Sequence, residues 1–169
     1  MKKLASVLLI TGLTFSGVYT GSANAMTGNS LESVKALQNG DQEIEGVAIG
    51  EKMGKVLEDK GKGIHTTNAN GKEEYYEYHT DKGQMIVTAN GAGRHAKVKR
   101  ISMSYDELNG PKYDDVKKQV SSRAIMRLHF NNITGNSGYI SDGPVSYQFT
   151  SSNPHDKTLK LYRIDLEAN

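Results

Sequence analysis

The chain contains no cysteine and no tryptophan, and only three of its 169 residues are proline. Without cysteine there are no disulfides, no acylated N-terminal cysteine and no thiolate zinc site. An excess of charge of one sign is also missing. The 21 Lys and Arg face 19 Asp and Glu, and two of the lysines, Lys2 and Lys3, fall in a leader-like start. From residue 26 onward the balance is 19 against 19, so the basic isoelectric point gives no argument for nucleic acid or membrane binding. Catalytic signatures are absent as well. There is no Gly-x-Ser-x-Gly, no His-Glu-x-x-His and no phosphate-binding glycine loop. His65, His79, His95, His129 and His155 lie far apart in sequence, without an i, i+4 pair. These absences predict a non-catalytic protein with no metal and no cofactor.

Residues 1–25 read as an export signal. A Lys2-Lys3 start precedes the uncharged run LASVLLITGLTFSGVY, and Ala23-Asn24-Ala25 supplies a small-x-small cleavage pattern. The run is too short, and too interrupted by Gly12 and Gly17, to read as a spanning helix, and no later stretch is apolar enough. The expectation is a secreted, extracellular Gram-positive protein cleaved after Ala25, with no membrane partner.

Glycine and tyrosine are plentiful, with 18 and nine residues over the whole chain. A loose segment and a short helix, LESVKALQ capped by Ser30, occupy 26–45. A first lobe spans 46–108. Its helix carries Met53, Val56 and Leu57 on one stripe and ends at Gly61. EYYEYHT, QMIVTA and AKVKRISMSY then alternate as three strands joined by short glycine turns, an antiparallel meander. Tyr76 and Tyr78 share the inward face, and Tyr75, Glu77 and His79 the outward one. If the meander folds this way, His79 and His95 converge.

A second lobe, 109–169, has the same order. Gly110-Pro111 opens a helix with proline at its first position. The stripe Tyr113, Val116, Val120, Ala124 and Leu128 extends it towards Phe130, with a break near Ser121-Ser122. The alternation of Ala124, Met126, Leu128 and Phe130 supports a competing strand over AIMRLHF. YISDG and PVSYQFTS are strands, the latter with Val145, Tyr147 and Phe149 inward, and TLKLYRIDLEA closes the lobe.

The closing strands are near-copies. VKRISMSY (98–105) and LYRIDLEA (161–168) share Arg-Ile at the same places, with Met103 answered by Leu166. Superposing the lobes aligns Val56 with Val116 at an offset of 60, Tyr76 and Tyr78 with Tyr147 and Phe149 at 71, and the closing strands at 63. The predicted fold class is α+β: tandem helix-plus-antiparallel-meander repeats that pack helices on one face of a twisted antiparallel sheet.

Gly46, Val47, Ile49, Gly50, Val56, Gly61, Tyr76, Tyr78, Val98 and Ile101 follow a Gly-hydrophobic-x-hydrophobic-Gly opening, a glycine-ended helix, a tyrosine-rich strand and a closing V-x-x-I strand. In this the chain resembles β-lactamase-inhibitor-protein-like domains and the related outer-membrane-assembly lipoproteins. The second lobe lacks the glycine opening and the glycine helix end. The first lobe also resembles secreted staphylococcal immunodominant-antigen exoproteins, for which binding of extracellular nucleic acid is the implied role. What matches is scaffold, so no functional residue carries over from either family.

Two sequence features suggest a contact surface. GRHAKVKR places Arg94, Lys97, Lys99 and Arg100 close together, with Lys97 and Lys99 on one strand face and Arg100 on the other. Tyr75 and His79 point outward from the tyrosine-rich strand. A protein partner occluded through Tyr75, His79 and Arg100 is the leading reading. Phosphate contacts from the basic run are the alternative. The same charges also serve to discourage edge-to-edge association.

Overall fold

The computed structural model describes residues 28–169; the expected export signal, its cleavage point and Met26-Thr27 lie outside them. Helix α1 (Leu31–Gln38) starts where Ser30 Oγ accepts the Ser33 N–H at 3.1 Å, as expected of an N-cap, and buries Val34 and Leu37. A small hairpin comes next, β1 (Glu43–Ile44) against β2 (Val47–Ala48). Its two-residue turn has Glu45 at φ 50° and Gly46 at φ 78°, both on the left-handed side, which suits the twist of a tight hairpin. Helix α2 (Met53–Lys60) buries Met53 and Val56 and stops at Gly61, φ 84°, whose N–H reaches Leu57 O at 3.1 Å.

The strands β3 (Ile64–Thr67), β4 (Glu74–Thr80), β5 (Gly83–Ala89) and β6 (Val98–Tyr105) form the first meander. Helix α3 (Tyr113–Lys117) precedes the second: β7 (Ile125–His129), β8 (Ser137–Asp142), β9 (Val145–Thr150) and β10 (Lys160–Glu167). All eight strands join one antiparallel sheet in the order β3-β4-β5-β6-β10-β9-β8-β7, with the two closing strands paired at its centre. The halves thus share one sheet, and the helices lie on one side of it, as the α+β expectation had it. The core on that side unites Tyr76, Tyr78, Met85, Ile101, Met103, Ile140, Tyr147, Phe149, Ile164 and Leu166 with Val34, Met53, Val56, Tyr113 and Val116 of the helices. No helix among the described residues is long and apolar enough to cross a membrane.

The repeat extends to individual hydrogen bonds. Met53 N–H donates to Ala96 O and Tyr113 N–H to Leu159 O, at 2.8 and 2.9 Å. Val98 N–H donates to Glu51 O and Leu161 N–H to Pro111 O, both at 2.9 Å. Lys52 bridges Lys97 as Lys112 bridges Lys160. Even an irregularity is copied: the β5–β6 ladder skips Lys99, and the β9–β10 ladder skips Tyr162.

Three expectations need correction. First, the helix does not run towards Phe130. It ends at Lys117, and residues 125–129 form strand β7. Beyond the helix, the Asp142 carboxylate accepts the Ser121 N–H at 2.6 Å and the Ser121 hydroxyl at 2.7 Å, fixing a turn that aims the chain back to the sheet. Pro111 likewise precedes the N-cap, Lys112, instead of opening the helix. Second, Tyr147 and Phe149 do not answer Tyr76 and Tyr78. They lie on β9, the copy of β5, where Val87 and Ala89 occupy the matching sites; the copy of β4 is β8, with Ile140 at the Tyr76 position. Tyrosine content misled the comparison, because burial on this face requires only a large apolar body. Third, His79 and His95 stand at opposite ends of the meander, one beside the β4–β5 turn and one in the β5–β6 loop.

Candidate functional site

The side of the sheet without helices carries a mixed surface. Tyr75, Thr88, Arg100 and Glu167 lie in one cross-strand row; Glu77, Ile86, Ser102, Asp165, Ser146, Ser141 and Ile125 form the next; His79, Gln84, Ser104, Arg163, Gln148, Tyr139 and Arg127 form the third. Tyr75, His79 and Arg100 therefore share this open face. Tyr75 and Arg100 flank Thr88, whereas His79 is four residues along the strand, about 13 Å away by strand rise. His79 Nε2 meets Glu77 Oε1 at 2.8 Å, and Gln84 donates to the same oxygen at 2.6 Å.

The bulge breaks the alternation expected for the basic run. Lys99 Nζ donates to Glu73 Oε1 at 2.7 Å, and the Tyr75 hydroxyl donates to Glu73 Oε2 at 3.0 Å, so Lys99 reaches the same side as Tyr75 and Arg100. These two hydrogen bonds, that of Lys99 first, hold the Glu73 carboxyl below its ordinary range. Accepting a hydrogen bond from Tyr75, the Glu73 carboxylate pushes that hydroxyl up. Arg100 pairs with Glu167 across β6 and β10. Arg94 is turned to the helix side, where it pairs with Glu58 and donates to Gly54 O at 3.3 Å. Lys97 makes no ion pair among the described residues. The four basic residues thus point to different places, and three of them face a carboxylate.

The two outer edges of the sheet differ sharply. At β3, Glu74 is buried on the helix side, where it accepts from the Thr67 hydroxyl at 2.8 Å and bonds His65 Nε2; the His65 ring stacks on Tyr76 at 4.7 Å. These bonds, the one from Thr67 first, hold the Glu74 carboxyl below its ordinary range. By register the site matching Glu74 is Gly138 on β8. There the Tyr113 ring lies over the glycine: an added Cβ would meet Tyr113 Cδ2 at 2.9 Å and Leu159 Cδ1 at 3.1 Å. His65 and Thr67 are answered by Met126 and Leu128. Ile125, Met126, Leu128, Phe130 and Ile133 are all exposed, against Ile64 alone at the β3 edge.

Sequence reading missed this edge because it extended the helix through it, although the alternation in AIMRLHF carried the correct signal. NANGK (68–72), which by composition reads as a plain turn, lines a cleft of 670 Å³ with Lys97 and Lys99.

This arrangement defines a class: a duplicated helix-plus-meander protein with one continuous sheet, an open polar and aromatic face and a single apolar edge. The chain belongs to the SA0570-like family, a staphylococcal-type family, which it matches over residues 1–167. Comparison with curated proteins and with solved structures finds no match.

Proposed function

We propose that this is a secreted, non-catalytic binding protein that occludes an extracellular protein partner. The observation that carries the reading is the β7 edge. The strand has five exposed residues, alternate ones of which turn their backbone N–H and C=O away from β8 and towards a further strand, and Met126, Leu128 and Phe130 line one side of that edge. An edge of this kind is a template for strand addition unless it is protected, and this one has neither proline nor lysine in the strand. The open face beside it supplies Tyr139, Arg127 and His129, with Tyr75, His79 and Arg100 towards the other half. The order of elements resembles that of inhibitor-protein-like domains, an analogy drawn from the sequence that favours binding without naming a partner.

Nucleic acid binding through Arg94, Lys97, Lys99 and Arg100 is the weaker alternative. Phosphates would have to displace Glu58, Glu73 and Glu167 from three of those cations.

The test is capture from host serum by the wild-type chain and by the double variant Met126→Glu/Leu128→Glu. A protein retained by the wild type and lost with the variant is the expected result. If nothing specific is captured, or if the variant captures the same protein as well, the reading fails. A salt-dependent gel shift by the wild type would favour the alternative.

A further inference from the structure

The cleft beside the Lys99 bulge has a one-sided chemistry. The β3–β4 loop, the β5–β6 loop and the chain end enclose it. Asn70 Oδ1 accepts the Lys72 N–H at 2.9 Å, and Asn90 Oδ1 accepts the Lys97 N–H at 2.9 Å. Each backbone donor fixes which end of the carboxamide is oxygen, so both NH2 groups face away from their own loops. Neither NH2 has a partner among the described residues. Asn68 Oδ1 is occupied in the same way, by Lys72 N–H at 3.0 Å and Glu73 N–H at 3.2 Å.

Charge follows the same pattern. Three lysines, Lys72, Lys97 and Lys99, line the cleft against a single carboxylate, Glu73. That carboxylate is already held by Lys99 and Tyr75. Lys72 and Lys97 have no carboxylate partner among the described residues. The cleft therefore presents donors and positive charge with almost no free acceptor. Its floor is different: Ile49 and Ala168 give an apolar patch, with Val98 buried beneath.

The duplication makes this cleft specific to one half. Where the first half has Lys99 the second has Tyr162, and Asn90 is answered by Thr150. The copy of Gly50 is Gly110, and it is covered by Asn29, which donates to Leu161 O at 3.2 Å. The backbone repeat gives no reason for donors to accumulate at one end only.

We propose that the cleft binds a small anionic sugar. The phosphate or carboxylate would take Lys72, Lys97 and the carboxamide NH2 groups, and the C–H face of the ring would lie on Ile49 and Ala168. Charge-assisted hydrogen bonds from two lysines select the anion, and the apolar floor selects a ligand with a body over a bare ion. This site is separate from the β7 edge and stands or falls apart from it.

The experiment is a two-dimensional amide NMR titration of the full chain, including side-chain amides, with glucose 6-phosphate, glucuronate, glucose and inorganic phosphate. Both anionic sugars are expected to shift the Asn70 and Asn90 side-chain amides and to bind about tenfold more tightly than glucose or inorganic phosphate. The tighter of the two identifies the anion as phosphate or carboxylate. Lys72→Glu/Lys97→Glu should weaken binding by about tenfold or more. Asn70→Asp keeps the oxygen that accepts the Lys72 N–H but replaces the donor, so it should weaken binding while leaving the backbone spectrum folded. Equal binding of glucose or of inorganic phosphate, unchanged affinity in the variants, or no shift at ~10 mM ligand would overturn the proposal.

Discussion

The two halves of this chain share their backbone and disagree in their side chains. Both anchor the start of their helix on the closing strand through the same N–H donors, and both place a bulge at the same point of that strand. The difference lies in how each fills the space between helix and outer strands. The first half uses Met53, Ala89 and the buried Glu74; the second uses Tyr113, Phe149 and Gly138. Volume moves from the outer strand, where Glu74 is answered by Gly138, to the helix and the inner strand, where Met53 is answered by Tyr113 and Ala89 by Phe149, and the polar cluster of one edge becomes an apolar surface at the other. A backbone hydrogen-bond frame tolerates such exchanges because close packing requires the sum of volumes, not any one residue.

The most direct way to break the comparison is to empty the second half. Tyr113 is buried and packs edge-on against Phe149, with ring centroids 5.1 Å apart. Tyr113→Ala should cost about 3–5 kcal/mol, measured by urea unfolding, because it removes a buried ring and leaves a cavity over Gly138 beside Phe149. Met53→Ala at the copied position should cost about 2–5 kcal/mol. A loss below about 1 kcal/mol for Tyr113→Ala would show that its packing is not what closes this half. Adding volume is the milder change. Gly138→Ala puts a methyl 2.9 Å from Tyr113 Cδ2, and should cost about 1–3 kcal/mol by the same measurement. If this substitution stabilises the protein, the ring is free to shift and the two halves are less different than their side chains suggest.

How far these differences could be read from the sequence depended on the kind of signal. Period-two alternation identified EYYEYHT, QMIVTA and PVSYQFTS as strands, and the repeated Arg-Ile placed Ile101 and Ile164 in the core as equivalents. The apparent helical periodicity from Tyr113 to Leu128 was misleading, since Val116, Val120 and Ala124 do pack on the core but through a helix, a turn and a strand start. The Asp142 carboxylate that fixes the turn at Ser121 is distant in sequence, so no local pattern announced it. The β1–β2 hairpin was hidden because its turn uses Glu45 with a positive φ, which composition does not reveal. Candidate site residues fared similarly. Facing directions for Tyr75 and His79 follow from alternation, but the bulge at Lys99 changed the direction of one lysine and with it the shape of the basic run. The Asn68, Asn70 and Asn90 carboxamides form a donor surface only once the loops that carry them meet.

Substituting the apolar edge tests the division of labour between fold and surface. Met126→Glu/Leu128→Glu should change stability by no more than about 0.5 kcal/mol, since both side chains are substantially exposed. Unfolding and partner capture measured on the same preparation separate the two roles. A large loss of stability would mean that the edge is needed to close the second half and is not a free surface.

The smallest expected effect distinguishes the two edges by pH. Thr67 and His65 hold the Glu74 carboxyl below its ordinary value, so the folded state binds its proton less readily than the unfolded chain. The stability this gives is present above the ordinary carboxylate range, near ~4.3, and is lost as pH falls through the depressed value. Protonation of Glu74 removes an acceptor from both β3 partners, so β3 should loosen first. At the opposite edge the matching positions, Gly138, Met126 and Leu128, have no titratable group. Hydrogen-exchange protection, corrected for the intrinsic pH dependence of exchange, should therefore fall for β3 amides relative to β7 amides as pH drops from neutral through the carboxylate range. Glu74→Gln keeps an acceptor that does not titrate, and should flatten the ratio. Identical acid profiles for the two edges in the wild type would show that the buried carboxylate does not hold β3 in place.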